Sequence, residues 1–108
     1  MRVAQVIGKL AAAGVEAVVN NYYCSMNTER IQFDYFIDED SELAPPQEMI
    51  DRGARYFVVP STRHAAARVR ALTALFRENH YAIVHAHMNT LNLPVLYAAW
   101  RADVPVRI

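Results

Sequence analysis

Apolar residues along the chain fall into short runs that alternate with segments of helical spacing. Runs of this length, bounded by glycine, proline or polar residues, are typical of buried strands. They predict strands at residues 3–7, 31–37, 55–59, 81–85 and 104–108. Apolar positions three or four residues apart predict helices at residues 15–26, 63–79 and 89–102, with Ser61 or Thr62 as the cap of the second. A further short helix is expected from Pro45 and Pro46 to Gly53, because proline suits the first turn of a helix and glycine its end.

Strands that alternate with helices predict a parallel sheet covered on both faces. Right-handed crossovers then favour a three-layer α/β/α, Rossmann-like, doubly wound sheet with strand order 3-2-1-4-5. We expect residues 1–108 to form one such domain, since a chain of 108 residues can bury a substantial core.

This topology predicts where a ligand binds, because the strand order reverses between strands 1 and 4. Two loops border that point, residues 8–14 and residues 85–90. We expect the functional groups of the domain in these two segments.

The first loop leads into the amino terminus of a helix, where outward-pointing N–H groups and the helix dipole favour an anion. Ala13, Gly14 and Val15 are the residues expected to approach it, since Gly14 has no Cβ to obstruct a phosphate. The loop matches neither the dinucleotide-binding glycine pattern nor a Walker A loop. Alternatively, Gly14 simply begins the helix.

The second loop carries His85 and His87, whose spacing puts both side chains on one side of an extended strand. A metal would need a third ligand, and no carboxylate is adjacent, so no metal site is expected. His85, at the end of a buried strand, is interpreted as structural. His87, farther out, is placed to hydrogen-bond a sugar hydroxyl or a phosphate. Asn89 and Thr90 add neutral polar groups that can hydrogen-bond to hydroxyls. Alternatively, they cap the next helix.

Composition excludes several classes of protein. Hydrophobic residues make up 54% of the chain, and no apolar run approaches the roughly 20 residues that cross a bilayer. The first residues do not have the pattern of a signal peptide. Cys24 is the single cysteine and lies on a helical pattern, so it is interpreted as a packed thiol. We therefore expect a cytoplasmic protein.

Charge is balanced overall but unevenly distributed. Residues 29–51 carry eight acids and one base, whereas residues 52–108 carry eight bases and two acids. Arg63, Arg70 and Arg77, seven residues apart, share one face of a predicted helix, with His64 and Arg68 elsewhere on its surface. That face predicts either peripheral contact with the anionic inner face of a membrane or a solvated cationic surface. The zero net charge argues against nucleic-acid binding.

The order and spacing of several segments over essentially the whole chain resemble the family 4 glycosyltransferases. These segments are residues 14–19 with Asn21, Tyr22 and Tyr23, residues 31–35, residues 70–78, the histidine loop at residues 81–90, and residues 98–108. The nearest resemblance is to capsule and exopolysaccharide transferases. Ala13 stands where the family has the first glycine of a pair.

The resemblance implies the amino-terminal, acceptor-side domain of a retaining glycosyltransferase of the hexosyltransferase type, with the two-domain GT-B fold. Such an enzyme uses a nucleotide sugar as co-substrate, without a cofactor or metal, and transfers the sugar to a glycan or lipid-linked acceptor in polysaccharide synthesis. Residues 13–15 would then approach the donor diphosphate, and His87, Asn89 and Thr90 would line the acceptor side. The main catalytic groups and the donor-binding domain are expected beyond residue 108, so the fragment is expected to be inactive alone.

The sequence allows two other interpretations, of which the first is favoured over the second. The chain could be a stand-alone Rossmann-like module that binds a small phosphate or sugar ligand in the same crevice. A flavodoxin-like regulatory domain is disfavoured, because its phospho-acceptor site needs clustered acids at strand ends, whereas strand 1 ends in Gly8. If the fold is truncated after the fifth strand, residues 104–108 become an exposed apolar edge, which predicts homo-oligomers.

Overall fold

A computed structural model describes residues 1–9, 14–26, 30–41, 44–87 and 92–108, with the backbone alone for residues 14–16. The strands are β1 Arg2–Gly8, β2 Gln32–Asp38, β3 Arg55–Val59, β4 Ile83–Ala86 and β5 Val106–Arg107. The helices are α1 Gly14–Ser25, α2 Gln47–Asp51, α3 Ala65–Asn79 and α4 Asn92–Arg101. Every predicted element is present, with bounds that differ by a few residues.

The five strands form one parallel sheet in the order β3-β2-β1-β4-β5, which confirms the predicted fold. The central strand β1 pairs with β2 on one side and with β4 on the other, so that Val6 lies beside both Phe36 and Ala86. The strands at the reversal point are therefore direct neighbours, and their carboxyl ends lie together.

Alternate residues of the strands build two separate cores. One packs the sheet against α3 and α4 around Phe36, Leu72 and Phe76, none of which has exposed surface. Val69 and Leu75 of α3 are partly buried against this core. The other core, around Tyr23 and Phe33, packs the opposite face against α1 and α2, and Cys24 lies beside it as a packed thiol.

The acidic stretch that follows the predicted second strand begins inside the sheet. Asp38 is the last residue of β2 and is buried, because it forms an ion pair with Arg68. Arg68, predicted to lie on the surface of its helix, is only 3% exposed and also donates to the carbonyl oxygen of Pro60 at 2.9 Å. One acid of the acidic segment and one base of the basic segment thus neutralise each other inside the domain.

The start of α3 also differs from the prediction. Its N-cap position is His64, without a side-chain capping bond, so neither Ser61 nor Thr62 caps it. Ser61 is buried, and its backbone N–H donates to the Glu39 carboxylate at 3.3 Å. Arg63 therefore precedes the helix, and its side chain contacts His64 at 3.3 Å rather than continuing a helical stripe. Only Arg70 and Arg77 of the three predicted arginines lie on α3.

Within the described residues, no helix is both long enough and apolar enough to cross a membrane.

Candidate functional site

The carboxyl ends of β1 and β4 meet at what we call the mouth, formed by Gly8, Lys9 and residues 85–87. The backbone N–H of His87 donates to the carbonyl oxygen of Val6 at 3.0 Å, which extends the pairing one residue beyond β4. Gly8 has a φ of 92°, a conformation that favours glycine because a Cβ would be strained there. β1 therefore ends beside His87, and the described ends of the two predicted segments, residues 8–9 and 85–87, come together.

Two histidines and a glutamine form a polar cluster on the α1 side of the sheet. The rings of His85 and His87 are 3.9 Å apart between centroids, which confirms that both side chains point to one side. Nε2 of His87 lies 2.7 Å from Oε1 of Gln5, which is 5% exposed in the neighbouring strand β1. Because the amide oxygen of Gln5 is the acceptor, Nε2 of His87 carries the proton. Nδ1 then keeps a lone pair that can accept a hydrogen bond.

The electrostatics of the cluster keep both imidazoles neutral near pH 7. Burial, with a smaller contribution from the neighbouring His85, lowers the pKa of His87 to about 4. Burial also lowers the pKa of His85 below its usual value. Removal of an imidazole from water disfavours its charged form. Neutral rings suit hydroxyl groups better than phosphates. Of the two ligands expected for His87, a sugar hydroxyl is therefore favoured over a phosphate.

The cluster opens into a cavity of about 390 Å³ between α1 and the strands β1, β2 and β4. We call it the α1 groove; it is lined by Gln5, Val18, Val19, Tyr22, Met26, Phe33, His85 and His87. Its walls are largely apolar, and Tyr22 is 66% exposed along α1. An apolar cleft with a few converging polar groups is the usual form of a small-molecule site.

Sequence reasoning missed Gln5 and the α1 wall of this groove. The signal for Gln5 was a polar residue in the middle of an otherwise apolar strand. The contribution of Val18 and Tyr22 to the groove could not be predicted from the sequence, because it depends on how α1 packs against the sheet.

The remaining predicted site residues are only partly located. Gly14 is the first residue of α1, so the helix amino terminus follows β1 as expected. Ala13, Asn89 and Thr90 lie outside the described residues, and the side chain of Val15 is not described either. At the mouth, Lys9 forms an ion pair with Asp40 at 3.3 Å. Among the described residues, no group of three or more His, Cys, Asp or Glu side chains could hold a metal ion.

Comparison with known proteins identifies the family of the chain. Residues 2–108 match the family described as glycosyl transferase 4-like domain. The chain is also 32% identical over 110 residues to the Bacillus subtilis (strain 168) protein named "Putative glycosyltransferase EpsF". That alignment covers 99% of this chain and 29% of the relative, so the chain spans less than a third of the length of EpsF. The chain belongs to the glycosyl transferase 4-like domain family.

Proposed function

We propose that this chain is the amino-terminal, acceptor-side domain of a retaining glycosyltransferase. The enzyme would move a hexosyl group from a nucleotide sugar to a glycan or lipid-linked acceptor during polysaccharide synthesis. The observation that carries the proposal is the neutral His87, held by Gln5 where the ends of β1 and β4 meet. Membership of the glycosyl transferase 4-like domain family supports the same assignment.

The chemistry of the groove favours the acceptor over the donor. Among the described residues that line it, hydrogen-bonding capacity comes from the neutral side chains of Gln5, Tyr22, His85 and His87, and none is cationic. A sugar hydroxyl can donate to Nδ1 of His87, while the apolar walls and the Tyr22 ring can pack against the carbon face of a sugar or a lipid chain. A nucleoside diphosphate carries charges that this groove would leave uncompensated.

The donor phosphates are better matched by the start of α1. The positive end of the helix dipole lies at Gly14, in the predicted phosphate loop of residues 13–15, and the first N–H groups of a helix have no partner within the helix itself. We expect the rest of the donor site to come from elsewhere in the full-length enzyme, because EpsF is more than three times as long as the aligned segment. The 108-residue chain alone should therefore neither transfer a sugar nor hydrolyse a nucleotide sugar.

The test compares His87→Asn with His80→Asn in the full-length transferase that carries this domain. His80 lies at the opposite end of the sheet in a left-handed conformation that asparagine tolerates, so the chemical change is matched. Loss of one hydrogen bond to the acceptor should lower kcat/KM for the acceptor about tenfold in His87→Asn. His80→Asn should transfer sugar at the unaltered rate.

Transfer is measured as the incorporation of radiolabelled hexose into the acceptor, with a set of nucleotide sugars tested as donors. An equal effect of both substitutions, or an effect of His87→Asn on donor binding alone, would contradict the acceptor assignment. Turnover by the purified 108-residue chain would contradict its expected inactivity.

A further inference from the structure

Gln5 is a polar residue on a face of the sheet that is otherwise largely apolar. It lies in the middle of the central strand β1, in register with Tyr35 of β2 and His85 of β4. Its side chain is almost fully buried, and Val3 and Phe33 on the same face belong to the apolar core against α1. Burial of an amide costs free energy unless its groups are hydrogen-bonded. A methionine of similar length would avoid that cost, so the stability of the fold does not explain the amide.

The hydrogen-bonding groups of this amide serve the α1 groove. Its oxygen, Oε1, accepts from Nε2 of His87 at 2.7 Å. Its nitrogen carries two N–H groups, and among the described residues none accepts a hydrogen bond from them. Because Gln5 lines the groove, these N–H groups are within reach of a ligand there.

The ring of His87 complements these donors. Gln5 fixes its Nε2, and the His85 ring packs against it with 3.9 Å between the centroids. Since the proton is on Nε2, Nδ1 is left as an acceptor. The groove therefore offers an acceptor from His87 and a donor from Gln5 near each other. A hydroxyl group can satisfy both at once, because it donates and accepts, whereas an ionised phosphate only accepts.

We propose that Gln5 is the positioning residue of the α1 groove: it fixes the tautomer of His87 and donates from its own amide to the hydroxyl group that His87 binds. That hydroxyl would donate to Nδ1 of His87 and accept from Nε2 of Gln5. The inference rests on the proposed function in one respect, the identity of the ligand as the sugar acceptor. The state of the His87 ring is a property of this chain, and it is tested without a ligand.

The tautomer of His87 is measured by ¹⁵N NMR of the 108-residue chain labelled at its four histidines, with His87→Asn to assign the signal. The parent should carry the proton on Nε2 at neutral pH. Gln5→Met should release the ring into a mixture of both tautomers, because the acceptor that selects one of them is gone. Gln47→Met is the matched control: Gln47 is exposed on α2, so the His87 signals should not change.

Gln5→Glu keeps the shape of the side chain and its acceptor oxygen but removes the amide donor, and it tests the contact even if Gln5→Met folds poorly. A carboxylate favours the protonated form of a neighbouring imidazole. The pair should therefore take up a proton at a midpoint about one to three pH units above that of His87 in the parent. The other titratable groups described in the groove and at the mouth are unchanged in this variant; they are His85, Tyr22, Lys9 and Asp40.

Transfer by the full-length enzyme tests the contact with the ligand. Gln5→Met should lower kcat/KM for the acceptor about tenfold, as expected for one lost hydrogen bond, and Gln47→Met should not. Gln5→Glu should recover part of that loss only above its own midpoint, where the ring is neutral and Nε2 donates to the carboxylate. Its rate should thus rise with pH in a range where the rate of the parent is level. A side chain that only supports the fold would not produce this pH dependence.

Three results would overturn the proposal. The first is a proton on Nδ1 of His87 in the parent, which would mean that Gln5 donates to the ring. The second is an unchanged tautomer in a Gln5→Met chain whose circular dichroism shows it folded. The third is an unchanged kcat/KM for Gln5→Met. The first two concern Gln5 alone and leave the proposed function standing, whereas normal transfer by both His87→Asn and Gln5→Met would refute the acceptor assignment itself.

Discussion

Asp34 at the amino-terminal end of the sheet and His87 at its carboxyl-terminal end are both polar groups on strands, but their surroundings differ. Asp34 has no exposed surface and accepts from Arg2, from Arg55 at 2.5 Å and from the hydroxyl of Tyr81 at 2.6 Å. His87 is half-buried beside an open groove, with Gln5 as its described side-chain hydrogen-bond partner.

The difference indicates which end is structural and which is functional. Asp34 has its acceptor capacity used within the domain, and its presence raises the pKa of Arg55 by hydrogen bonding. A buried charge with several partners is part of the scaffold and has little capacity for a ligand. His87 keeps an acceptor nitrogen next to a groove, which is the arrangement expected of a group that binds substrate.

Asp34→Asn should break the amino-terminal cluster with the largest effect. The substitution loses the charge-assisted hydrogen bonds from Arg2 and Arg55 and should cost about 3 kcal/mol, because a hydrogen bond to a charged group contributes about 1.5 to 3 kcal/mol and both guanidinium groups stay partly solvated. We expect the urea midpoint of unfolding to fall accordingly. Asp40→Asn is the matched control: its pair with Lys9 is exposed, so it should cost about 1 kcal/mol or less. Equal costs for the two variants would refute the structural role assigned to Asp34.

The same chemical change at two tyrosines sharpens the comparison. Tyr81→Phe removes a hydroxyl that donates to Asp34, and should lower the free energy of unfolding by about 2 kcal/mol. Tyr35 lies beside Gln5 in β2 and is 1% exposed, yet its hydroxyl has no hydrogen-bond partner among the described residues. Tyr35→Phe should therefore be neutral or stabilise the fold by up to about 1 kcal/mol. Equilibrium denaturation of both variants measures this, and a larger loss for Tyr35→Phe would contradict it.

Most of the scaffold could be predicted from apolar spacing alone. The spacing identified all five strands, and general rules of handedness then placed β1 beside β4. That placement predicted the mouth, because the ends of adjacent parallel strands lie together. His85 and His87 were predicted on one side for the same reason, since a strand alternates its side chains regularly.

Pairing between distant residues could not be predicted in the same way. Arg68 looked like a surface cation on its helix, but it contacts Asp38, thirty residues earlier in the chain. Nothing in the local pattern of either segment indicates the other. The start of α3 shows the same limit: Ser61 has the residue type of a cap, but its backbone N–H bonds to Glu39, and the helix begins four residues later.

The pH dependence of stability gives the smallest expected effect and tests the carboxyl-terminal end directly. The pKa of His87 is about 4 in the folded domain and about 6.5 for an unperturbed histidine, so between these values the unfolded chain binds more protons. The contribution of His87 to the free energy of unfolding is therefore fully present above about pH 6.5, and it is lost progressively as the pH falls toward 4. Partial exposure limits the loss to the order of 1 kcal/mol. Because carboxylates titrate in the same window, the measured quantity is the difference between the parent and His87→Asn in urea midpoint from pH 7 to pH 4. The parent should lose more than the variant, whereas parallel curves would mean that His87 is not held neutral by burial beside Gln5.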